Sequence, residues 1–196
     1  MSAKLPAAVR PTSDRVRESI FDILGSRGGV DGLSVVDLFC GSGALGVEAL
    51  SRGAATVTFV DQDLAAVQAV RANLAAVGLA DEPSTVVRAA LPGWLLTAPT
   101  FDLALCDPPY DFEGWPTLLT ELRADVAVME SSLSIAPPEG WMVTKERRYG
   151  GTLVTVAHRS GSDNGTDSGS DNGSDSGTDN GTDNGTDNGA DSGTDA

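Results

Sequence analysis

Asp107-Pro108-Pro109-Tyr110 is the tetrapeptide in this sequence best suited to chemistry. An amine attached to an aromatic base has its lone pair delocalised into the ring. A carboxylate and a backbone carbonyl that accept its two N–H protons redirect that lone pair toward an incoming electrophile. Asp107 would supply the carboxylate and Pro108 the carbonyl. Two consecutive prolines fix the turn, and Tyr110 offers a flat face on which an extruded base can stack. The chemistry implied is methyl transfer to an exocyclic amine, with Asp107, Pro108 and Tyr110 as its catalytic residues.

A second constellation lies upstream. Asp37-Leu38-Phe39-Cys40-Gly41-Ser42-Gly43-Ala44-Leu45-Gly46 contains G-x-G-x-x-G directly after an apolar run and opens a helical segment. Such glycines allow a tight turn and close approach of a ligand to the backbone at a helix N-terminus. Asp61 lies about 20 residues further on, where a carboxylate can accept ribose hydroxyls. NAD and S-adenosylmethionine both contain an adenosine, so this half of the site fits either one. Asp-Pro-Pro-Tyr decides between them, because hydride transfer has no use for it. Gly41, Gly43, Asp61 and the acidic Asp37 are therefore expected around S-adenosylmethionine, with Cys40, Arg88 and Ala89 at the ends of adjoining segments.

These residues need a scaffold, and the apolar pattern supplies one. Helices are predicted over residues 12–25, capped by Thr12 or Ser13, over 44–52 and 63–77, and around Pro116. Val16, Ile20, Phe21 and Leu24 share one face of the first, and Leu64, Val67, Val70, Leu74 and Val77 one face of the third. Strands are predicted over 34–39, 56–60, 84–88, 101–106, 125–130, 141–147 and 152–157. Between the third and fourth strands, Pro92, Gly93 and Pro99 interrupt any helix. Alternating helices and near-continuously apolar strands imply an α/β fold with a mostly parallel sheet covered on both faces. The last two strands, joined by a short turn, should be antiparallel. Both chemical segments would then lie at the carboxyl edge of the sheet, where open α/β folds bind ligands.

From Ser162 to Ala196 the chain repeats Ser/Thr-Asp-Asn/Ser-Gly and has no large apolar residue. Such a segment cannot offset the entropy of ordering its backbone. The division expected is a globular domain over residues 1–159 and a disordered acidic tail over 160–196. Subtracting the tail's nine aspartates brings the formal charge from −15 to −6. On this mildly acidic body, Lys4, Arg10, Arg15 and Arg17 cluster near the start, and Lys145, Arg147 and Arg148 near the end. Two local basic patches are compatible with a phosphate backbone. There is no leader-like apolar segment or membrane-length run, and Cys40 and Cys106 have no metal-ligand spacing. A cytoplasmic monomer that needs no metal or membrane is expected, with both thiols reduced.

Asp107-Pro-Pro-Tyr110 together with Asp37-Leu-Phe-Cys-Gly-Ser-Gly43 resembles the amino-group methyltransferases of nucleic acids. Arg10-Pro-Thr-Ser-Asp-Arg-Val-Arg-Glu18, Gly41-Ser-Gly-Ala-Leu-Gly-Val-Glu-Ala-Leu-Ser-Arg-Gly-Ala54 and Arg148-Tyr-Gly150 are similar to the RsmD family. The resemblance runs over roughly residues 4–157. It implies a Rossmann-like class I methyltransferase fold with a seven-stranded sheet. It also implies methylation of guanine N2 in 16S rRNA, on the rRNA or on a small-subunit assembly particle. RNA contacts would fall at Arg10, Thr12, Arg15, Arg17, Arg148 and Tyr149. Where family members often carry an acid or amide after the third strand, Arg88-Ala89-Ala90 offers backbone groups and one guanidinium. Two other readings compete. One is a DNA adenine-N6 methyltransferase, for which no target-recognition domain is present. The other is a non-catalytic cofactor-binding ribosome-assembly factor, which would not require an intact Asp-Pro-Pro-Tyr.

Overall fold

The computed structural model describes residues 14–161, so the expected Thr12 cap, Arg10 and the acidic repeat lie outside the described residues. Seven strands form one sheet in the order β3-β2-β1-β4-β5-β7-β6. They are β1 (Ser34–Leu38), β2 (Thr56–Asp61), β3 (Ser84–Arg88), β4 (Phe101–Cys106), β5 (Ala124–Ser131), β6 (Trp141–Tyr149) and β7 (Thr152–Arg159). The first five pair in parallel, and β7 runs antiparallel to both β5 and β6. The sheet is therefore mostly parallel with an antiparallel C-terminal strand, as the sequence implies.

The helices are α1 (Asp14–Gly25), α2 (Ala44–Ser51), α3 (Leu64–Ala76) and α4 (Trp115–Glu121). α1 buries the expected stripe Val16, Ile20, Phe21 and Leu24, and Ile23 besides. Asp63 caps α3, its Oδ1 accepting from the Ala65 amide at 2.9 Å. The helical stripe of α3 is shorter than its spacing suggests. Val67, Val70 and Leu74 are buried, whereas Leu64 and Val77 stand exposed at the two ends. Between β3 and β4 the chain manages only one 3-10 turn, Gly93–Thr97, which buries Leu95 alone.

Two apolar layers sandwich the sheet. One gathers α1, α2 and α3 on the face carrying Val35, Val57, Phe59, Leu103, Leu105 and Val128. The other puts α4 and the 3-10 turn on the face carrying Val36, Leu38, Val60, Ala104, Cys106 and Met129. Strand side chains alternate between faces. Asp37, Asp61, Asp107 and Glu130 thus fall in phase with the first layer, at the carboxyl ends of four adjacent strands.

Candidate active site

The glycine segment turns sharply where β1 ends. Gly41 and Gly43 take φ of 52° and 79°, and Phe39 also has a left-handed backbone at 58°. For glycine this costs nothing, but for a bulky residue it is strained. The turn is tied on both sides. The Cys40 amide donates to the Val60 carbonyl at 3.1 Å, and the Gly43 amide to the Cys40 carbonyl at 2.7 Å. Gly46 lies flat against β2, and a Cβ there would sit 2.3 Å from a ring carbon of Phe59. The third glycine of the motif therefore serves close packing of helix on strand.

Asp61 ends β2 and clasps this turn. Its Oδ2 accepts from the Gly41 amide and its Oδ1 from the Asp63 amide, each at 2.9 Å. Each carboxylate oxygen has a second lone pair, so the group can still accept the hydroxyls of a ribose. The Ala89 amide donates to the Asp61 carbonyl, and Arg88 Nε donates to the Gln62 carbonyl at 3.1 Å. Asp37, Cys40, Gly41, Gly43, Asp61, Arg88 and Ala89 thus lie on the adjoining carboxyl ends of β1, β2 and β3 and the loops that follow them.

Asp37 is buried, 1% exposed. Its Oδ2 accepts from the Gly46 amide at 2.9 Å, which holds α2 onto β1. Burial raises its pKa well above the ordinary carboxylate range. The Gly46 N–H opposes that rise, and the charges of Asp107 and Asp61 add to it. Cys40 and Cys106 are buried free thiols. Burial, with Asp37 as the main charge nearby, pushes both thiols far up, so neither is a nucleophile.

Asp107 follows β4, its amide reaching the Leu38 carbonyl at 3.5 Å, directly beside the glycine turn. The Asp107–Tyr110 segment forms one wall of a cavity of about 320 Å³, with Phe112 and Trp115. Glu130–Ile135, at the end of β5 and just beyond it, and Thr152 also line the cavity. Tyr110 lines the cavity and is 59% exposed. Phe39, Phe112 and Trp115 pack edge to face in sequence, with centroids 5.1 and 5.3 Å apart.

Sequence reasoning missed Glu130. It is 6% exposed, lines the cavity, and its Oε1 has no hydrogen-bond partner. Burial first, then the charges of Asp107 and Asp37, push its pKa from the ordinary 4.5 up to about 8. The available signal was a carboxylate in phase with Val126 and Val128 at the end of an apolar strand.

The expected RNA contacts separate into groups. Arg15 joins Lys145, Arg147 and Tyr149 along a shallow groove of about 350 Å³. The Arg147 guanidinium lies 5.4 Å from the Tyr149 ring centroid. Arg148 donates to the Ser132 carbonyl at 3.3 Å, beside the cavity wall. Arg17 is committed to its own protein, pairing with Asp14 at 2.8 Å and Glu48 at 3.7 Å. Arg10 and Thr12 lie outside the described residues. His158 is part-buried and meets Arg27 Nη1 at 2.9 Å. Burial and that guanidinium lower its pKa.

A glycine turn after β1, Asp-Pro-Pro-Tyr after β4 and an antiparallel last strand together define a Rossmann-like methyltransferase. Solved structures share this fold. The chain resembles the putative methyltransferase yhhF from Escherichia coli, with a TM-score of 0.68 and 30% identity over 80% of this chain and 90% of that one. It also resembles magnesium protoporphyrin IX methyltransferase from Synechocystis PCC 6803, solved with bound SAM. There the TM-score is 0.61 with 17% identity over 82% and 87% of the two chains, so the likeness concerns the fold alone. Residues 2–158 match the family described as conserved hypothetical protein 95, and the chain belongs to this family, the RsmD family. Among its relatives, the putative rRNA methyltransferase YlbH of Bacillus subtilis is 33% identical over 82% of this chain and 94% of its own. Ribosomal RNA small subunit methyltransferase D of Haemophilus influenzae is 32% identical over 75% and 83%.

Proposed function

We propose that this protein transfers a methyl group from S-adenosylmethionine to the N2 amine of a guanine in 16S rRNA. The observation that carries this reading is the position of Asp107-Pro108, on a base-sized cavity and directly beside the glycine turn. Relatives named as rRNA methyltransferases support the substrate class.

The residues present fit the cofactor. Asp61 retains acceptor capacity for a ribose, Gly41 and Gly43 give the left-handed turn beside it, and the 88–89 backbone adjoins Asp61. When bound, S-adenosylmethionine supplies an electrophilic methyl group on a sulfonium. The protein's own work is then positional. Asp107 and the Pro108 carbonyl accept the two amine protons and aim the lone pair, and Tyr110 holds the base flat. The proton lost from the methylated amine leaves toward Asp107. Positioning and preorganised acceptors account for most of the acceleration. Arg15, Arg148 and Tyr149, with Lys145 and Arg147 beside them, present the cationic and aromatic surface for the rRNA around the target.

Nucleoside mass analysis of 16S rRNA from a deletion strain should show loss of N2-methylguanosine at one position, restored by the wild-type gene. Asp107→Ala should bind S-adenosylmethionine as the wild type does and lose at least about 100-fold in methyl transfer. Unaltered rRNA in the deletion strain would refute the assignment.

A further inference from the structure

Asp107 accounts for the amine but not for the choice of ring that carries it. Guanine, adenine and cytosine all present an exocyclic amine, and they differ in the atoms beside it. Next to its reacting amine guanine has N1–H, a donor, and beyond that C6=O, an acceptor. Adenine has the acceptor N1 and then a bare C2–H. A site that selects guanine needs a paired acceptor and donor beside Asp107.

Glu130 is the group the cavity offers for this. It lines the same cavity as Asp107-Pro108, near the end of the strand paired with β4. It is buried, and its Oε1 has no hydrogen-bond partner. Leaving a buried carboxyl oxygen unsatisfied costs on the order of 1–3 kcal/mol. Resting on the guanine-N2 reading above, we propose that Glu130 determines base specificity by pairing its carboxyl group with the N1–H and C6=O edge of the acceptor guanine. The carboxyl C=O accepts from N1–H and the carboxyl O–H donates to O6, while Asp107 accepts from the adjoining N2 amine. Adenine, with its amine in the same place, could make only one bond to Glu130, through N1.

The pairing needs a protonated carboxyl, and the surroundings keep it so near neutrality. Asp107 after β4 and Asp37 on β1 are the charges that act on Glu130, both negative. Asp111 and Glu113 on the cavity wall have the same sign, and the residue opposite on β7 is the apolar Val154. Among the described residues the cavity lining holds no cation, and the one guanidinium that reaches it, Arg148, does so at the Ser132 carbonyl.

The test uses the full chain, S-adenosylmethionine and small-subunit particles from a strain lacking the gene, with kcat/KM measured from pH 6.5 to 9. Glu130→Gln keeps one acceptor and one donor and cannot ionise. It should retain kcat/KM within a few-fold at pH 7 and stay flat to pH 9. The wild type should fall about tenfold relative to it by pH 9, one unit above a titration near 8. Glu130→Leu fills the same space without hydrogen bonds and should lose about 100-fold at every pH, with cofactor affinity unchanged. Wild-type activity in Glu130→Leu, or matching pH profiles for wild type and Glu130→Gln, would overturn the inference and leave the guanine-N2 reading intact. A wild-type enzyme that makes no N2-methylguanosine on these particles overturns both.

Discussion

Phe39 and Phe112 meet edge to face with their ring centroids 5.1 Å apart, joining the glycine turn after β1 to the loop that follows Asp-Pro-Pro-Tyr. Trp115 extends the contact into α4 at 5.3 Å from Phe112. The glycine turn and the Asp-Pro-Pro-Tyr loop are thereby packed as one unit. The contact also compensates Phe39 for its left-handed backbone at φ 58°.

Phe112→Leu should therefore loosen both loops together. An aromatic pair contributes roughly 0.5–1.5 kcal/mol beyond its area, so a fall in Tm of a few degrees is expected. Hydrogen exchange should quicken at residues 39–43 as well as at 107–113. Faster exchange confined to the second loop would show that the two halves are held independently.

Gly46 tests the packing that seats the glycine turn. A Cβ at this position meets Phe59 ring carbons at 2.3 and 2.8 Å and a Val57 methyl at 2.9 Å. Gly46→Ala should destabilise the fold by about 1–3 kcal/mol, as overpacking does. Phe59→Leu in the same chain should recover part of that loss, because it removes the ring the new methyl strikes. Equal stability of Gly46→Ala and wild type in urea would contradict the close approach of α2 to β2.

Asp61→Asn should weaken S-adenosylmethionine binding more than a lost ribose contact alone would. Its two oxygens already hold the Gly41 and Asp63 amides at 2.9 Å. Hydrogen bonds to a charged group contribute roughly 1.5–3 kcal/mol, and the amide side chain keeps one acceptor oxygen in place of two. Calorimetry should show at least a tenfold rise in Kd, and unfolding in urea a loss of no more than the one charge-assisted bond, roughly 1.5–3 kcal/mol. An unaltered Kd would mean the ribose is held elsewhere.

The backbone architecture was legible because its signals are local. Runs such as Val35-Val36 and Leu103-Ala104-Leu105 mark central strands, and Gly41 and Gly43 mark the turn between strand and helix. That Asp107-Pro108 would follow a central strand was legible for the same reason, and the structure puts them on a cavity there. What escaped depends on pairing across the sheet. Glu130 reads as the polar end of β5, and its burial follows from the pairing of β5 with β4 and β7 on either side, which the sequence does not show. Phe39 reads as the last strand residue, and its left-handed turn comes with a ring contact to Phe112, 73 positions downstream in the sequence. Arg17 reads as a free cation until Glu48, from α2, comes within 3.7 Å of it. Leu64 and Val77 continue the α3 spacing, yet the sheet beneath does not reach them.

Glu130 should also leave a signature in stability that requires no substrate. Its carboxyl is raised in the folded protein from 4.5 to about 8, because burial and the charges of Asp107 and Asp37 oppose ionisation. Below pH 4.5 the group is protonated in both the folded and unfolded chains and has no effect on their balance. Between 4.5 and 8 the unfolded chain releases the proton while the folded chain holds it, so stability falls as pH rises. Above 8 the folded protein ionises too, and the loss levels off. At about 1.4 kcal/mol per unit of pKa difference, the whole effect is on the order of 3–5 kcal/mol. Glu130→Gln removes this titration and leaves every other group in place. Its Tm should approach that of the wild type near pH 4.5, exceed it by a margin that widens up to about pH 8, and then run parallel to it. Subtracting the two curves removes the groups that do not sense Glu130, and leaves its titration together with its mutual repulsion with Asp107 and Asp37. A margin that is constant with pH would mean that Glu130 ionises normally in the folded protein. A margin that narrows as pH rises would mean that its charge is stabilised by a cation, contrary to the acidic surroundings of the cavity.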